Sequence, residues 1–248
     1  MTAGAGWFRR EGLKGVQNRF WVVVPAAGSA RRMGNAVPKQ YLSVAGRTVI
    51  EWSLAPFLAH QHAAGVVVVL ASQDQRWSQT ALASNSKITT TIGGAERMNS
   101  VLAGLGALQE RVAPDDWVLV HDAARPCLPA SDLDHLLNEL SDDAVGGLLA
   151  APVVDTLKRA DVNDRVAQTV PRDKLWRALT PQMFRYHILE RALQSALSRG
   201  AAVTDEAQAV EALGMQPKLV AGDADNIKIT LPEDLLRAER ILRSRSAA

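Results

Sequence analysis

The chain has 248 residues, enough for one large domain or two small ones around a real hydrophobic core. Hydrophobic residues make up 47% and charged residues 22%, the balance of a globular protein, and a net charge of +2 is too slight to argue for a nucleic-acid partner. The single cysteine, Cys127, excludes an intrachain disulfide, and no apolar run approaches the roughly 20 residues of a membrane-spanning helix. Residues 1–18 include Arg9, Arg10 and Lys14 but lack the apolar stretch of a signal peptide. They read as a flexible extension ahead of one domain over residues 19–248, with a cytoplasmic location expected.

In chain order, Phe20 to Pro25 (FWVVVP) is a short apolar run of the kind that forms a strand buried on both faces. A glycine-containing basic loop follows, then a helical pattern from Thr48 to about His60. Gly65 to Leu70 predicts a second buried strand, Gln75 to Ala83 a helix, and Ile88 to Ile92 a third strand. Glu96 to Leu108 places Val101, Leu102, Leu105 and Leu108 on one helical face. Trp117 to Val120 predicts a fourth strand and Ser131 to Leu140 a helix capped by Ser131. Strands alternating with helices of this length point to an α/β fold with a mainly parallel sheet.

The alternation breaks after Pro152. Residues 153–176 are polar, with scattered β-branched side chains, and fit an extended hairpin arm with little to bury by itself. Helices are expected near Met183 to Ser198 and Asp205 to Leu213, and short strands at Lys218 to Val220 and Ile227 to Thr230. Pro232 opens a terminal helix at a favourable first-turn position. Trp117 and Trp176 are expected in the core.

The segment Pro25 to Lys39 (PAAGSARRMGNAVPK) directly follows the first strand. Ala26, Ala27 and Gly28 let the backbone come close to a ligand, and loop N–H groups can then hold phosphate oxygens. Arg31, Arg32 and Lys39 add positive charge, with Lys39 expected to be exposed. The loop lacks the GK[ST] ending of a Walker motif and the spacing of GxGxxG, which argues against a NAD-dependent dehydrogenase.

From this loop onward the chain resembles the methylerythritol phosphate cytidylyltransferase family. PAAGSARRM and PKQYL are followed by GGAERMNSV at 93–101, VHDAARP at 120–126 and APVVDTLKR at 151–159. LWRALTPQMF at 175–184, VTDEA at 203–207 and DNIKIT at 225–230 complete the series. Two positions depart from the family pattern: Ala30 stands where glycine is usual, and Ala95 where aspartate is frequent.

The resemblance implies a Rossmann-like three-layer nucleotidyltransferase fold with a protruding β-arm that crosses to a homodimer partner. It implies transfer of CMP from CTP to 2-C-methyl-D-erythritol 4-phosphate, with Mg²⁺ or another divalent cation and no nucleic-acid or membrane partner. Arg32 and Lys39 match stabilisers of the α-phosphate; Arg172 and Lys228 match acceptor-positioning cations. Ala26, Ala27, Gly28, Gly94 and Ser100 match the nucleotide site. Asp122, Arg125, Thr156, Thr180 and Thr204 match acceptor contacts, with Thr156 and Arg172 serving the neighbouring subunit's site. Asp122 is also a candidate metal ligand, set against a salt bridge to Arg125. Ser100 has helix capping as its alternative, and His121 and Cys127 read as packing residues. Ribitol-5-phosphate cytidylyltransfer and a silent nucleotide-binding homologue are the competing readings. No fused second catalytic domain is expected.

Overall fold

The protein is described here by a computed structural model that covers residues 19–28 and 37–246. The extension over residues 1–18 lies outside the described residues, as do Ala30, Arg31 and Arg32.

The first half runs β1 (Phe20–Pro25), a small hairpin of β2 (Ser43–Val44) and β3 (Arg47–Thr48), then α1 (Val49–Ala59) and β4 (Ala63–Leu70). It continues with β5 (Ile88–Ile92), α2 (Arg97–Gly106), β6 (Trp117–Val120) and α3 (Ala130–Leu140). The second half contains β7 (Gly146–Pro152), the arm strands β8 (Leu157–Ala160) and β9 (Val166–Val170), and β10 (Trp176–Arg185). After these come α4 (Tyr186–Ser198), α5 (Glu206–Glu211), β11 (Lys218–Ala221) and α6 (Pro232–Ser246). Seven strands form one sheet in the order β11-β7-β10-β6-β1-β4-β5. β10 runs antiparallel to both neighbours, and the other pairings are parallel.

The period-2 geometry of β1 explains the layers. Phe20, Val22 and Val24 enter one apolar cluster with Ile50, Leu54 and Phe57 of α1 and Leu133, Leu136 and Leu140 of α3. Trp21 and Val23 point the other way, into a cluster with Val101 and Leu105 of α2, Leu189 and Leu193 of α4, and Val210 of α5. A third cluster joins α6 to β2, through Val44, Cys127, Ile229 and Ile241 among others. Both faces of the sheet are covered, as a parallel sheet requires. The polar arm forms its own two-stranded sheet, with Val162 98% and Val166 65% exposed.

Several expectations need correction. Gln75 to Ala83 forms only a 3₁₀ turn at Trp77–Gln79. Asp74 accepts from the N–H groups of Arg76 and Trp77, and Glu51 accepts from Ala81, so side chains take the backbone donors a helix would use. Ser131 lies inside α3, behind a Pro129 cap. Met183 to Arg185 belong to β10, whose pairing with β7 shifts register between Ala178 and Gln182, around Pro181. Ile227 to Thr230 is irregular because its donors go elsewhere: Ile227 N–H to Asp225 O and Ile229 N–H to Ala124 O. Trp117 is buried, but Trp176 is 38% exposed at the arm's base.

α2 lies close against β1 and β4 because Gly104 faces them. A Cβ at that position would stand 2.4 Å from Val23 Cγ1 and 3.0 Å from Val69 Cγ2. Gly104→Val is expected to lower stability by about 1–3 kcal/mol through overpacking, read as an earlier urea midpoint with an unchanged slope.

Candidate active site

β1 lies where chain order reverses, with β4 on one side and β6 on the other. Ligands of open α/β sheets bind beyond the carboxyl ends of strands at such a point. The loops leaving β1, β5 and β6 meet there, joined by the Lys39 turn and the Lys228 loop, and line one cleft. Ala26, Ala27, Gly28, Lys39, Gly94, Ser100, Asp122 and Lys228 all line it, and so do Ala95 and Arg97.

Small residues let these loops close on one another. Ala26 N–H donates to Val69 O at 2.8 Å, and the buried Gln40 amide donates to Ala26 O at 2.8 Å. A Cβ at Gly93 would stand 2.6 Å from Ser100 Oγ and 2.8 Å from Ala27 Cβ; one at Gly94 would meet Asn99 Cβ at 2.4 Å. The paired glycines therefore serve close approach. Ser100 is buried inside α2 and donates to Glu96 O at 3.2 Å, so it does not cap the helix. Lys39 is half-buried in the 3₁₀ turn Lys39–Tyr41, less exposed than expected.

Asp122, 7% exposed after β6, is the hub. Lys228 Nζ lies 2.8 Å from its Oδ2, Arg125 Nε 3.4 Å from the same oxygen, and Arg97 Nε and Nη2 each 3.2 Å from Oδ1. Burial alone would raise this carboxyl, but Arg97, Lys228 and Arg125 together hold it well below the usual carboxylate range. The Asp122–Arg125 ion pair is therefore present, within a larger cluster. Arg125 also donates to Asn226 O at 2.7 Å. Asn226 in turn donates to Thr180 O at 2.8 Å, which fixes the loop carrying Lys228.

As a metal ligand Asp122 is poorly placed in this arrangement, because both of its oxygens already face cations.

His121 is fully buried, and burial pushes its ring down to about 4. Its Nε2 lies 3.2 Å from Arg125 O, which accepts only, so Nε2 carries the proton and Nδ1 accepts from Thr180 Oγ at 3.0 Å. Thr180 Oγ accepts from Asp122 N–H at 3.1 Å. The resemblance puts Thr180 among acceptor contacts; here its hydroxyl is buried and braces Asp122. Cys127 is buried, its thiol pushed up to about 12 by burial, and remains a packing residue.

Other expected site residues lie apart. Thr204 is exposed, with its N–H and Oγ bonded to Gln208 Oε1. Thr156 and Arg172 are exposed on the arm, where Arg172 donates to Val154 O, and neither lines the cleft. Two residues escape the sequence reading. Arg97 meets both Asp122 and the buried Glu206, with Nη1 2.5 Å from Glu206 Oε1 and Nη2 3.1 Å from Oε2. Both stand within quoted motifs, GGAERMNSV and VTDEA, and membership of those motifs was the only available signal.

His121 yields a pH prediction. Its folded value of about 4 is below the ordinary 6.5, so the unfolded chain binds the extra proton first. Stability should fall as pH drops from 6.5 toward 4, with a slope approaching about 1.4 kcal/mol per pH unit from this group. Urea unfolding across that range should show a flatter profile for His121→Gln than for the parent.

A family model described as 2-C-methyl-D-erythritol 4-phosphate cytidylyltransferase (IspD) matches residues 20–244. A curated relative of that name from Ectopseudomonas mendocina (strain ymp) is 56% identical over 221 residues, covering 89% of this chain and 94% of the relative. The relative from Pseudomonas aeruginosa (strain UCBPP-PA14) is also 56% identical, over 222 residues, 89% of this chain and 95% of that one. The solved Francisella tularensis 2-C-methyl-D-erythritol 4-phosphate cytidylyltransferase superposes with a TM-score of 0.79 at 33% identity, covering 90% of this chain and 99% of that one. The solved Thermus thermophilus protein of the same name gives 0.76 at 34%, covering 91% and 99%. With the α/β fold and the cationic cleft already in place, these matches show that the chain belongs to the 2-C-methyl-D-erythritol 4-phosphate cytidylyltransferase family of nucleotidyltransferases.

Proposed function

We propose that the chain transfers CMP from CTP to 2-C-methyl-D-erythritol 4-phosphate, giving 4-diphosphocytidyl-2-C-methyl-D-erythritol and pyrophosphate in non-mevalonate isoprenoid synthesis. The observation that carries this reading is a cleft floored by small residues and faced by Lys39, Arg97 and Lys228, in a member of this family. A phosphate monoester is already anionic near neutral pH, so its oxygen needs no strong general base. The difficulty is bringing two anions together, which positioning and fixed positive charge overcome.

In this scheme an acceptor phosphate oxygen attacks the α-phosphorus, and the bond to the pyrophosphate oxygen breaks. Lys39 stabilises the charge that develops there, and Arg32 is assigned the same role by its place in the family motif. Backbone groups at Ala26, Ala27, Gly28 and Gly94 surround the nucleotide with Ser100, and Ala95 leaves base recognition to neighbouring backbone. Lys228, Asp122 and Arg125 sit toward the acceptor. A divalent ion is expected to enter on the triphosphate oxygens, since Asp122 is already surrounded by cations. Thr156 and Arg172 act from the arm of a partner subunit in a homodimer, a role supported by the arm's exposure and its separation from this chain's cleft. A cytoplasmic location is proposed alongside; no helix among the described residues is long and apolar enough to cross a membrane.

Pyrophosphate release with CTP and Mg²⁺ should be fast with methylerythritol 4-phosphate and slow with ribitol 5-phosphate or no acceptor. Preference for ribitol phosphate would keep the chemistry and overturn the acceptor. Silence in a folded, CTP-binding protein would favour a non-catalytic role. Lys39→Ala should lower turnover on the order of a hundredfold while moving the melting temperature little. Near-normal turnover in that variant would remove Lys39 from the α-phosphate.

A further inference from the structure

Arg97 divides one guanidinium between two carboxylates. Nη1 and Nη2 face Glu206 of α5, while Nε and Nη2 face Asp122. Glu206 is 1% exposed, and α5 is clamped at its start by the buried Gln182 of β10. Gln182 accepts from Ala207 N–H at 2.8 Å and donates to Asp205 Oδ2 at 3.0 Å. A rigid element thus holds Glu206, Glu206 orients Arg97, and Arg97 meets the carboxylate oxygen opposite the one holding Lys228.

We propose that Glu206 is a positioning residue of the nucleotidyl transfer: it fixes the Arg97 guanidinium edge that meets Asp122, and so sets where Asp122 holds the Lys228 ammonium in the cleft. This inference rests on the transfer reading above. The planar five-donor fork of arginine suits such a division, which the point charge of lysine does not reproduce. Two plainer accounts make different predictions. As a buried ion pair serving only stability, Glu206 would affect melting and leave turnover per folded molecule unchanged. As a charge alone, its removal would make the cleft more positive, tightening anionic substrates and sparing kcat.

The test is steady-state kinetics of the full chain with CTP, Mg²⁺ and methylerythritol 4-phosphate. Parent, Glu206→Gln, Glu206→Asp and Val210→Ala are compared, each with its melting temperature. Val210 is a buried α5 residue of the apolar cluster, outside the site. Glu206→Gln removes the charge, and Glu206→Asp keeps it but withdraws it by one methylene. Both should lower kcat on the order of tenfold to a hundredfold without raising KM for CTP, as misplaced groups do. Val210→Ala should melt earlier and keep its kcat.

Parent-like kcat in Glu206→Gln, or recovery in Glu206→Asp, would overturn the proposal, as would an equal kcat loss in Val210→Ala. Should Glu206→Gln not fold, Arg97→Lys carries the same test, since it keeps the cation and loses the fork; parent-like kcat there also overturns it. An inactive parent would overturn the transfer reading, and this proposal with it, whereas an active parent beside a normal Glu206 variant overturns this proposal alone.

Discussion

The site depends on one buried carboxylate kept ionised by three cations. Asp122 would be costly to bury charged and alone. Arg97, Arg125 and Lys228 come to it from α2, from its own loop and from the segment before α6. With Glu206 included, three cations face two carboxylates, so the cluster keeps one net positive charge beside a cleft meant for anions. That surplus attracts phosphate, and the pairing keeps the cations from repelling one another out of position.

The neutral groups beneath the cluster matter as much as the charged ones. His121, Thr180 and Asn226 form a buried hydrogen-bonded layer that joins the end of β6, the middle of β10 and the Lys228 loop. A charged imidazole there would add a fourth cation beside Asp122. Burial keeps the ring neutral, and the Arg125 carbonyl sets its tautomer. Asp122 and its cations thus stand on a floor that does not change charge near neutral pH.

Much of this was legible in the sequence, and the gaps have physical causes. Strands buried on both faces, such as FWVVVP and GVVVVL, announce themselves through apolar composition, so the parallel half of the sheet was readable. β7 escaped notice because its GGLLAAP stretch is built for close approach. A Cβ at Gly147 would meet Lys218 O at 2.1 Å, and Gly146 has φ +109°. β10 was hidden by Pro181, which local rules treat as a break. At the site, motif matching picked out Lys39, Asp122 and Lys228, which line the cleft together. It could not reveal that Thr180 is spent on bracing, nor that Arg97 and Glu206 find each other across 109 positions.

The seam between β6 and β10 has a consequence for how the chain matures. β1, β4, β5 and β6 all come from the first 120 residues and are neighbours in the sheet, so that half can assemble early during synthesis. Asp122 then sits at its open edge with Arg97 and Arg125 at hand, while Glu206, Lys228 and α6 have yet to emerge. α6 later ties back through Arg245, which donates to Cys127 O at 2.7 Å and pairs with Asp223. The side of the cleft lined by the β1, β5 and β6 loops can therefore form first, and the side bearing Lys228 follows when the later segments dock. A chain stopped before residue 206 would lack both Glu206 and Lys228, leaving Asp122 to Arg97 and Arg125 alone.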